Sequence, residues 1–437
     1  MKRIAFFIIA LSLPVFAQVR TFTLEESLQL GLSSSKDIKI AEAKMLSSDA
    51  KISEYSSQML PKLSLSGGYT RLSDVPPFQI SLPIFPQPVV VSETILNIYS
   101  VKASLQQPLF TGFRLSSLRK SANYNYEASR LEYSKETNEA AFRIMNSYWD
   151  FYKAKRLRGL LEENLNQLGK RLEDAKNFLK NGLLAQNDVL KLEVQYSEVK
   201  LQLIDAENAV KITQGLFNQA LGLNLQDSTD VEMRDIQVSE NANDLNQFIK
   251  EARENRNELK SLAYQAKAGE AGITAARSGW FPLIYLTGNY YYSRPNTRIQ
   301  PAKDEFKDTW DVGISANWEL WNWGYTSSLT EQAAQSKVQI DANLSKLQDA
   351  IEAEVYRNYL SLEKSIQKVK VSELSVQQAS ENHRIVNEKF NYQLASSADL
   401  IDAETADLQA KTNLTNALID YELSKARLEK SLGRKIY

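Results

Sequence analysis

Two carboxylates three positions apart, Asp399 and Asp402, are the pair of side chains in this sequence whose spacing most directly implies chemistry. Positions i and i+3 lie on one face of an α-helix, so the two acids would present neighbouring negative charges. Such a pair can attract cations, or it can cap and decorate a helix N-terminus, where negative charge is favourable. The elements that position the pair decide between these roles.

The acidic pair lies in the second copy of a stretch that the chain carries twice. Residues 183–193 read LLAQNDVLKLE and residues 394–404 read LASSADLIDAE, at a shift of 211 positions. The first copy keeps one carboxylate, Asp188, but has Lys191 where the second copy has Asp402. The two copies are therefore related in position and unequal in charge.

Residues suited to enzymatic chemistry are sparse. The single histidine, His383, lies in a helical pattern, and the sequence has no cysteine to act with it as a nucleophile. We expect it to be a solvated or interhelix histidine. No Gly-rich phosphate loop precedes a helix, and most carboxylates lie at helix-face spacing with Lys or Arg. Composition leaves a two-acid hydrolase open, but we expect no catalytic residue, no cofactor and no metal ligand.

The N-terminus has the pattern of an export signal. Lys2 and Arg3 precede an apolar run over residues 4–13, and residues 15–17, VFA, end with the small residue that signal peptidase recognises. The rival interpretation, a transmembrane anchor, needs about 20 apolar residues, roughly twice this run. We expect residues 1–17 to be cleaved, so that the mature chain begins at Gln18.

Composition limits the partners of the exported chain. Without Lys2 and Arg3, 50 basic side chains face 53 acidic ones, a net charge of −3. A nucleic-acid partner is not expected, because there is no basic field to displace counterions from phosphate. The absence of cysteine excludes disulfides and a cysteine-linked lipid anchor. Stability must come from packing and assembly.

Proline divides the rest of the chain into two kinds of segment. Beyond the signal, every proline lies within residues 61–108 or 282–301, and proline breaks helices. The proline-free segments carry apolar residues every three or four positions, as in Leu157, Leu161 and Leu165. This pattern predicts one continuous helix from Arg114 to Lys180, 67 residues and about 100 Å long.

The proline-containing windows alternate between apolar and polar residues, which predicts strands of about ten residues, the length of a tilted membrane-spanning strand. Together these patterns give an internal duplication. The predicted first repeat covers 18–225, with strands near 62–71 and 97–107 and a hairpin tip near 181–188. A linker, the equatorial region, follows over 226–243. The predicted second repeat covers 244–437, with strands near 283–293 and 309–320 and a tip near 390–399. The first strand-to-strand loop is ten residues longer, contains five prolines and would face outside.

Several motifs follow one another in a specific order: TLEESLQLGL at 23–32, MLPKLSLSGGY and WFPLIYLTGNY where strands begin, QPLFTGF and ELWNWG where strands end, and the two tips. In the first of these, Thr23 and Glu26 predict a capping box at the start of a helix. In these motifs, over nearly all of the mature chain, the sequence resembles the TolC-type outer-membrane efflux proteins. The resemblance implies an α+β membrane protein. It would be a homotrimer in which four strands per chain close a twelve-stranded β-barrel in outer-membrane lipid, continued by a long α-helical coiled-coil tunnel in the periplasm.

The resemblance also implies partners and a function. The channel-tunnel would serve a tripartite efflux or type I secretion system, receiving substrate from an inner-membrane pump through a periplasmic adaptor, the membrane fusion protein. The pump would be a resistance-nodulation-division pump or an ATP-binding exporter, which the sequence does not distinguish. Four strands cannot close a barrel, and two chains would give one filled by side chains, so physical reasoning alone requires three or more copies for a channel.

The same resemblance assigns candidate site residues. Asp399 and Asp402 match the acidic pair that lines the family's constriction and selects cations. Gln393 and Ala395 stand where relatives often have Gly and a basic residue, so this tip lacks the usual cation that would hold the closed tunnel shut. Lys191 and Arg384 are the candidate gate partners, the cations that could bind the acidic pair in the closed state. The expected docking surface for the adaptor or pump consists of the tips, Asn181, Gly182, Leu183, Leu184, Gln393, Leu394, Ala395 and Ser396.

Four tryptophans, Trp280, Trp318, Trp321 and Trp323, flank the strand ends that join helices, where a membrane-interface girdle belongs. Their alternative is an ordinary place in the protein core. For the whole chain the alternative function is a secreted or surface coiled-coil structural protein or adhesin without a transport role. That alternative explains the long apolar stripes but gives the four alternating strands no purpose.

Overall fold

The computed structural model describes residues 19–81, 83–84, 86–92, 94–239 and 244–437. The expected signal peptide, and the last four residues of the expected linker, lie outside this part of the chain. In chain order the elements are β1 (Arg20–Phe22), α1 (Leu24–Ser34), α2 (Lys36–Ser57), β2 (Lys62–Arg71), β3 (Phe78–Ile80), β4 (Val89–Ser92), β5 (Asn97–Thr111), α3 (Arg114–Lys180), α4 (Gln186–Leu221), β6 (Thr229–Val231), α5 (Leu245–Asn255), α6 (Asn257–Ala276), β7 (Leu283–Arg294), β8 (Lys307–Asn317), α7 (Tyr325–Asn391) and α8 (Ser397–Ser431).

These elements form two compact units, with α2, α3, α6 and α7 contributing residues to both. The sheet unit consists of residues 42–132 and 258–346, and the hairpin unit of residues up to 41, 133–257 and 347–437. Each is described by itself below. Among the described helices, none combines the length and the apolar character that a membrane-spanning helix requires.

The sheet unit is built on four antiparallel strands in the order β2-β5-β7-β8. Its register places Leu65, Ala103, Tyr290 and Trp310 in one row across the sheet. The neighbouring row, on the other face, consists of Ser64, Ser104, Asn289 and Asp311. Alternation in sequence thus becomes one apolar and one polar face, because successive side chains of a strand point to opposite sides.

Polar side chains connect the strands across the polar face. The Ser104 hydroxyl and Asn289 Oδ1 are 2.8 Å apart, and Asn289 Nδ2 donates to Asp311 Oδ1 at 2.7 Å. The strand predicted near 309–320 ends earlier, at Asn317. The long proline-containing loop also contains a small antiparallel ladder of β3 and β4 that the sequence did not predict. Prolines there flank the ladder, where they remove none of its backbone donors.

The hairpin unit contains most of the long helices. The predicted helix from Arg114 to Lys180 is confirmed, with 67 residues. Its counterpart α7 also has 67 residues, and the returning helices α4 and α8 have 36 and 35. Such nearly equal lengths in the two halves are what a duplicated hairpin requires. The apolar stripes pack along the hairpins, as in the cluster of Leu161, Leu168, Val199 and Ala206.

The largest core of the hairpin unit lies away from the tips, where β1 pairs in parallel with β6. Tyr148, Trp149, Phe151 and Phe217 are buried there. The predicted capping box is present at the start of α1, where the Thr23 hydroxyl accepts from the Glu26 amide at 3.1 Å and Glu26 Oε2 accepts from the Thr23 amide at 2.9 Å. This box satisfies two backbone donors that would otherwise lack partners.

The returning helices of the two halves end in the same way. Gly222 and Gly433, which are 211 positions apart, follow the returning helices with φ of 76° and 77°. A Cβ at Gly222 would lie 2.6 Å from the Ser34 side chain, and one at Gly433 would lie 2.8 Å from the Asn255 carbonyl carbon. Both positions need glycine, for its left-handed conformation and for the close approach.

Candidate functional site at the hairpin tips

The two tips share one backbone design. The Leu183 amide donates to Phe178 O at 2.9 Å, and the Leu394 amide donates to Lys389 O at 2.7 Å. In each case the preceding residue has left-handed φ, 70° at Gly182 and 62° at Gln393. This six-to-one hydrogen bond after a left-handed residue is the Schellman motif, which ends a helix and reverses the chain.

Asp399 takes part in a capping box at the start of α8. Its Oδ2 accepts from the Ser396 amide at 2.9 Å and from the Ser396 hydroxyl at 2.7 Å. The Asp399 amide donates in return to Ser396 Oγ at 3.2 Å. The Ser396 hydroxyl, and then its backbone amide, lower the pKa of Asp399. The capping role is therefore present, and the carboxylate that performs it is charged and exposed.

Asp402 lies one turn further along α8 and is also exposed. The first tip differs, because Lys191 Nζ lies 3.4 Å from Asp188 Oδ1 on the same helix. The first-copy carboxylate thus has a cation one turn away. In the second copy, the position equivalent to Lys191 is Asp402, a second carboxylate. Only the second tip therefore concentrates negative charge.

The two candidate gate partners pair within their own helices. Lys191 contacts Asp188 on α4, while Arg384 on α7 contacts Glu381 at 2.7 Å and Glu388 at 2.6 Å. Within one chain, both candidate gate partners are thus already matched with carboxylates. Whether either residue reaches a neighbouring copy of Asp399 or Asp402 remains a prediction.

Each tip presents an apolar side chain to the outside. Leu183 and its counterpart Leu394 are exposed, whereas Leu184 packs on the cluster of Ala175, Val189 and Leu192. The remaining predicted docking residues are exposed or half-buried: Asn181, Gly182, Gln393, Ala395 and Ser396. Each tip therefore combines a hydrogen-bonded turn with one exposed leucine.

A buried ionic cluster between three helices is the feature that sequence reasoning missed. Arg171 on α3 contacts Glu404 on α8 at 2.6 Å and His383 on α7 at 2.8 Å. Burial raises the pKa of Glu404, and the adjacent Arg171 opposes that rise. The interhelix interpretation of His383 is confirmed. A weak signal existed, since the repeat aligns Glu404 with Glu193, but it did not indicate a partner.

The four tryptophans are not in the core of this chain. Trp280, Trp318, Trp321 and Trp323 are each at least half exposed, so that alternative is wrong. The Trp318 indole donates to the Trp280 carbonyl at 3.3 Å, and the rings of Trp321 and Trp323 meet edge to face at 5.9 Å. Within the described ranges, no group of three His, Asp or Glu side chains could hold a metal ion.

Comparison with known proteins defines the class. The family model "Outer membrane efflux protein" matches residues 27–223 and 248–434, one block in each half. The chain therefore belongs to the outer membrane efflux protein family. Among curated relatives it is similar to outer membrane protein TolC of Vibrio cholerae, 22% identical over 379 residues that cover 86% of this chain and 83% of the relative.

Further relatives agree with that assignment. Outer membrane protein TolC of Escherichia coli is 21% identical over 451 residues, covering 99% of this chain and 87% of the relative. The fold is similar to that of the Campylobacter jejuni CmeC outer membrane channel, with a TM-score of 0.79 at 15% identity over 94% of this chain and 85% of that one. The chain thus has the fold of outer membrane channels.

Proposed function

We propose that this protein is the outer-membrane channel of a tripartite efflux or type I secretion system, working with an inner-membrane pump and a periplasmic adaptor. The observation that carries the proposal is the exposed apolar face of the sheet unit. Leu65, Trp310, Val312 and Ile314 are each at least 65% exposed in the single chain. A face of this kind is stable where lipid covers it.

Assembly into a homotrimer follows from the sheet edges. In the described part of the chain, β2 and β8 are the outer strands of the sheet, and lipid does not tolerate unpaired strand edges. Three copies would join these edges into a barrel of twelve strands. Export through a cleaved signal peptide and location in the outer membrane, with a large periplasmic part, belong to the same proposal.

In such a trimer, Asp399 and Asp402 would form two stacked rings of three carboxylates at the periplasmic end. This constriction would close the resting channel and favour cations, because rings of acidic side chains select cations. The exposure of both side chains, and the contrast with the Asp188–Lys191 pair in the first tip, support this role. The tips would also dock the adaptor or pump.

The test is planar-bilayer recording of the double variant Asp399→Asn with Asp402→Asn. Asparagine keeps an acceptor for the Ser396 cap and removes the charge. We expect higher conductance, loss of cation preference and loss of block by multivalent cations, because the rings supply the field. The matched control is Asp188→Asn in the first tip, which should change little. Unchanged selectivity in the double variant would show that the acids serve only the helix.

The alternative, a secreted coiled-coil structural protein without transport, makes a different prediction. Such a protein would be released from cells without detergent. The apolar face of the sheet unit argues against it. Extraction from washed membranes with and without detergent separates the two.

A further inference from the structure

Glu404 is a buried carboxylate held by two side chains of a neighbouring helix. It is 4% exposed. Its Oε2 accepts from Arg171 Nη1 at 2.6 Å, and its Oε1 accepts from Asn164 Nδ2 at 2.9 Å, both on α3. Arg171 also reaches α7, where its Nη2 lies 2.8 Å from His383 Nε2. Each oxygen of the buried carboxylate therefore has a defined donor.

Asp407, one turn further along α8, makes a second buried polar contact with a neighbouring helix. It is 7% exposed and accepts from the Ser380 hydroxyl on α7 at 2.5 Å. Lys411, a turn later on α8, lies 2.8 Å from its other oxygen. Buried polar contacts thus attach one face of α8 to both α3 and α7.

The acidic pair lies on the opposite side of the same helix. At 100° per residue, Asp402 is about 200° around the axis from Glu404, and Asp399 is about 140° from it. Leu400 and Asp407, within about 60° of Glu404 around the axis, are buried, and so are Ala403 and Ala410 at about 100° and 120° from it. Asp399, Asp402 and Ala406 are exposed. The direction in which Glu404 is held therefore fixes the direction of the acidic pair.

Apolar packing alone specifies this rotation weakly, because two of the buried positions on this stretch of α8, Ala403 and Ala410, are alanines. Small side chains slide past one another with little change in packing. A buried charge is different, since separating it from its partner leaves an uncompensated ion in a low-dielectric interior. The paired charges stabilise one rotation of α8 about its axis and destabilise the neighbouring rotations. Buried polar contacts in helical interfaces can specify register in the same way.

We propose that Arg171 and Glu404 are positioning residues that fix the rotation of α8, so that Asp399 and Asp402 face away from the helices of their own chain. The consequence for conduction rests on the proposed function of the acidic pair. The rotation itself does not, and it can be measured separately.

The measurement uses the absence of cysteine from the sequence. Two single variants, Ala406→Cys on the exposed face and Ala403→Cys on the buried face, each introduce one thiol. Their rates of reaction with the neutral thiol reagent dithiodipyridine are compared in the purified, detergent-solubilised protein. The thiol at position 406 should react much faster. In the Arg171→Met background we expect the ratio of the rate at position 406 to the rate at position 403 to fall at least about tenfold, because α8 is no longer held in one orientation.

Two companion variants separate positioning from general damage. Arg171→Lys keeps a cation near Glu404 and should retain most of the ratio. Arg143→Met removes an exposed arginine of the same helix, which pairs with Asp37 and Glu136, and should leave the ratio unchanged. A ratio within about twofold of the parent in Arg171→Met would overturn the proposal. If that variant does not assemble, Glu404→Gln, which leaves Arg171 without its anion, must show the same fall.

Bilayer recordings of Arg171→Met then connect rotation to conduction. Block by hexamminecobalt(III) should weaken about tenfold, as the carboxylate rings lose their alignment. A fallen thiol ratio with unchanged block would leave the positioning role intact and contradict the proposed constriction. An unchanged thiol ratio contradicts the positioning role, whatever the double Asp variant shows.

Discussion

Single residues at the two tips meet the same backbone requirement with different chemistry. Gly182 adopts left-handed φ without cost, whereas Gln393 adopts it with a Cβ present. A Cβ at Gly182 would meet no atom within 4 Å, so substitution there tests the backbone conformation alone. The second tip therefore retains a locally unfavourable residue six positions before Asp399.

We expect Gly182→Ala to destabilise the first tip by about 1 kcal/mol, the cost of left-handed backbone for a residue with a Cβ. Gln393→Gly should stabilise the second tip by a smaller amount, because glycine also widens the unfolded ensemble. Amide hydrogen exchange at Leu183 and Leu394 reports each change. Slower exchange at Leu183 in the alanine variant would contradict the assignment of strain.

His383 gives the ionic cluster a dependence on pH. Burial, and then the positive charges of Arg171 and Lys411, lower the pKa of His383, while Asp407 opposes them. The folded state therefore binds a proton less readily than the unfolded chain, whose histidine pKa is about 6.5. Stability from neutral His383 is fully present above that value, and it is lost as pH falls below it towards the folded pKa.

The expected result is a lower thermal midpoint at about pH 5.5 than at about pH 7.5, on either side of the unfolded pKa. His383→Gln, whose amide oxygen can still accept from Arg171, should reduce this difference because it cannot be protonated. Far-UV circular dichroism in detergent measures both midpoints. An equal acid-induced drop in the two proteins would assign the sensitivity to other groups.

At the scale of elements, β8 separates two environments within one strand. Val312 belongs to the exposed apolar face, while Ser315 lies on the polar face. The strand pairs only with β7 in the described chain, and its other edge is open. Its two faces should therefore respond unequally to the same charged side chain.

Val312→Arg should impair membrane insertion, because an arginine facing lipid near the midplane costs about 2 to 4 kcal/mol. Ser315→Arg, three residues away, should be milder, since its side chain would face the polar interior. The amount of each variant recovered in the outer-membrane fraction, and its resistance to urea in lipid vesicles, provide the measurement. Equal effects at both positions would mean that the faces are wrongly assigned.

At the scale of the whole molecule, duplication supplies two hairpins per chain but only one acidic tip. The equal lengths of α3 and α7, and the matching glycines Gly222 and Gly433, keep the two hairpins alike in backbone. The charges at the tips differ, so a trimer would have three acidic second tips and three first tips in which Lys191 balances the charge of Asp188. Such a set of six tips requires three copies of the chain, and the number of copies can be measured directly.

Light scattering after gel filtration in detergent should give three copies of the mature chain per particle. Four strands per chain leave two edges that only neighbouring copies can pair. Mass spectrometry of the same sample should show an N-terminus at Gln18. A monodisperse monomer would contradict the barrel, and an intact Met1 would contradict the export signal.

The sequence by itself determined the long helices and the four main strands. Proline confined to two windows, together with apolar spacing of three and four, predicted the helix from Arg114 to Lys180 with its observed bounds. Thr23 and Glu26 predicted the first cap, and alternation predicted the two-faced strands. These features are readable because they depend on neighbours within a few positions, whose geometry the helix and strand repeats fix.

Only the tertiary structure decided which side chains meet across elements. Arg171 and Glu404 are 233 positions apart, and the buried bond between them depends on the relative register of α3 and α8. Both helices have many charged residues at similar spacing, so local pattern does not single out this pair. The same holds for the exposure of the tryptophans. Burial and pairing are properties of packed surfaces, and a change of register by one residue would alter them without altering any local signal.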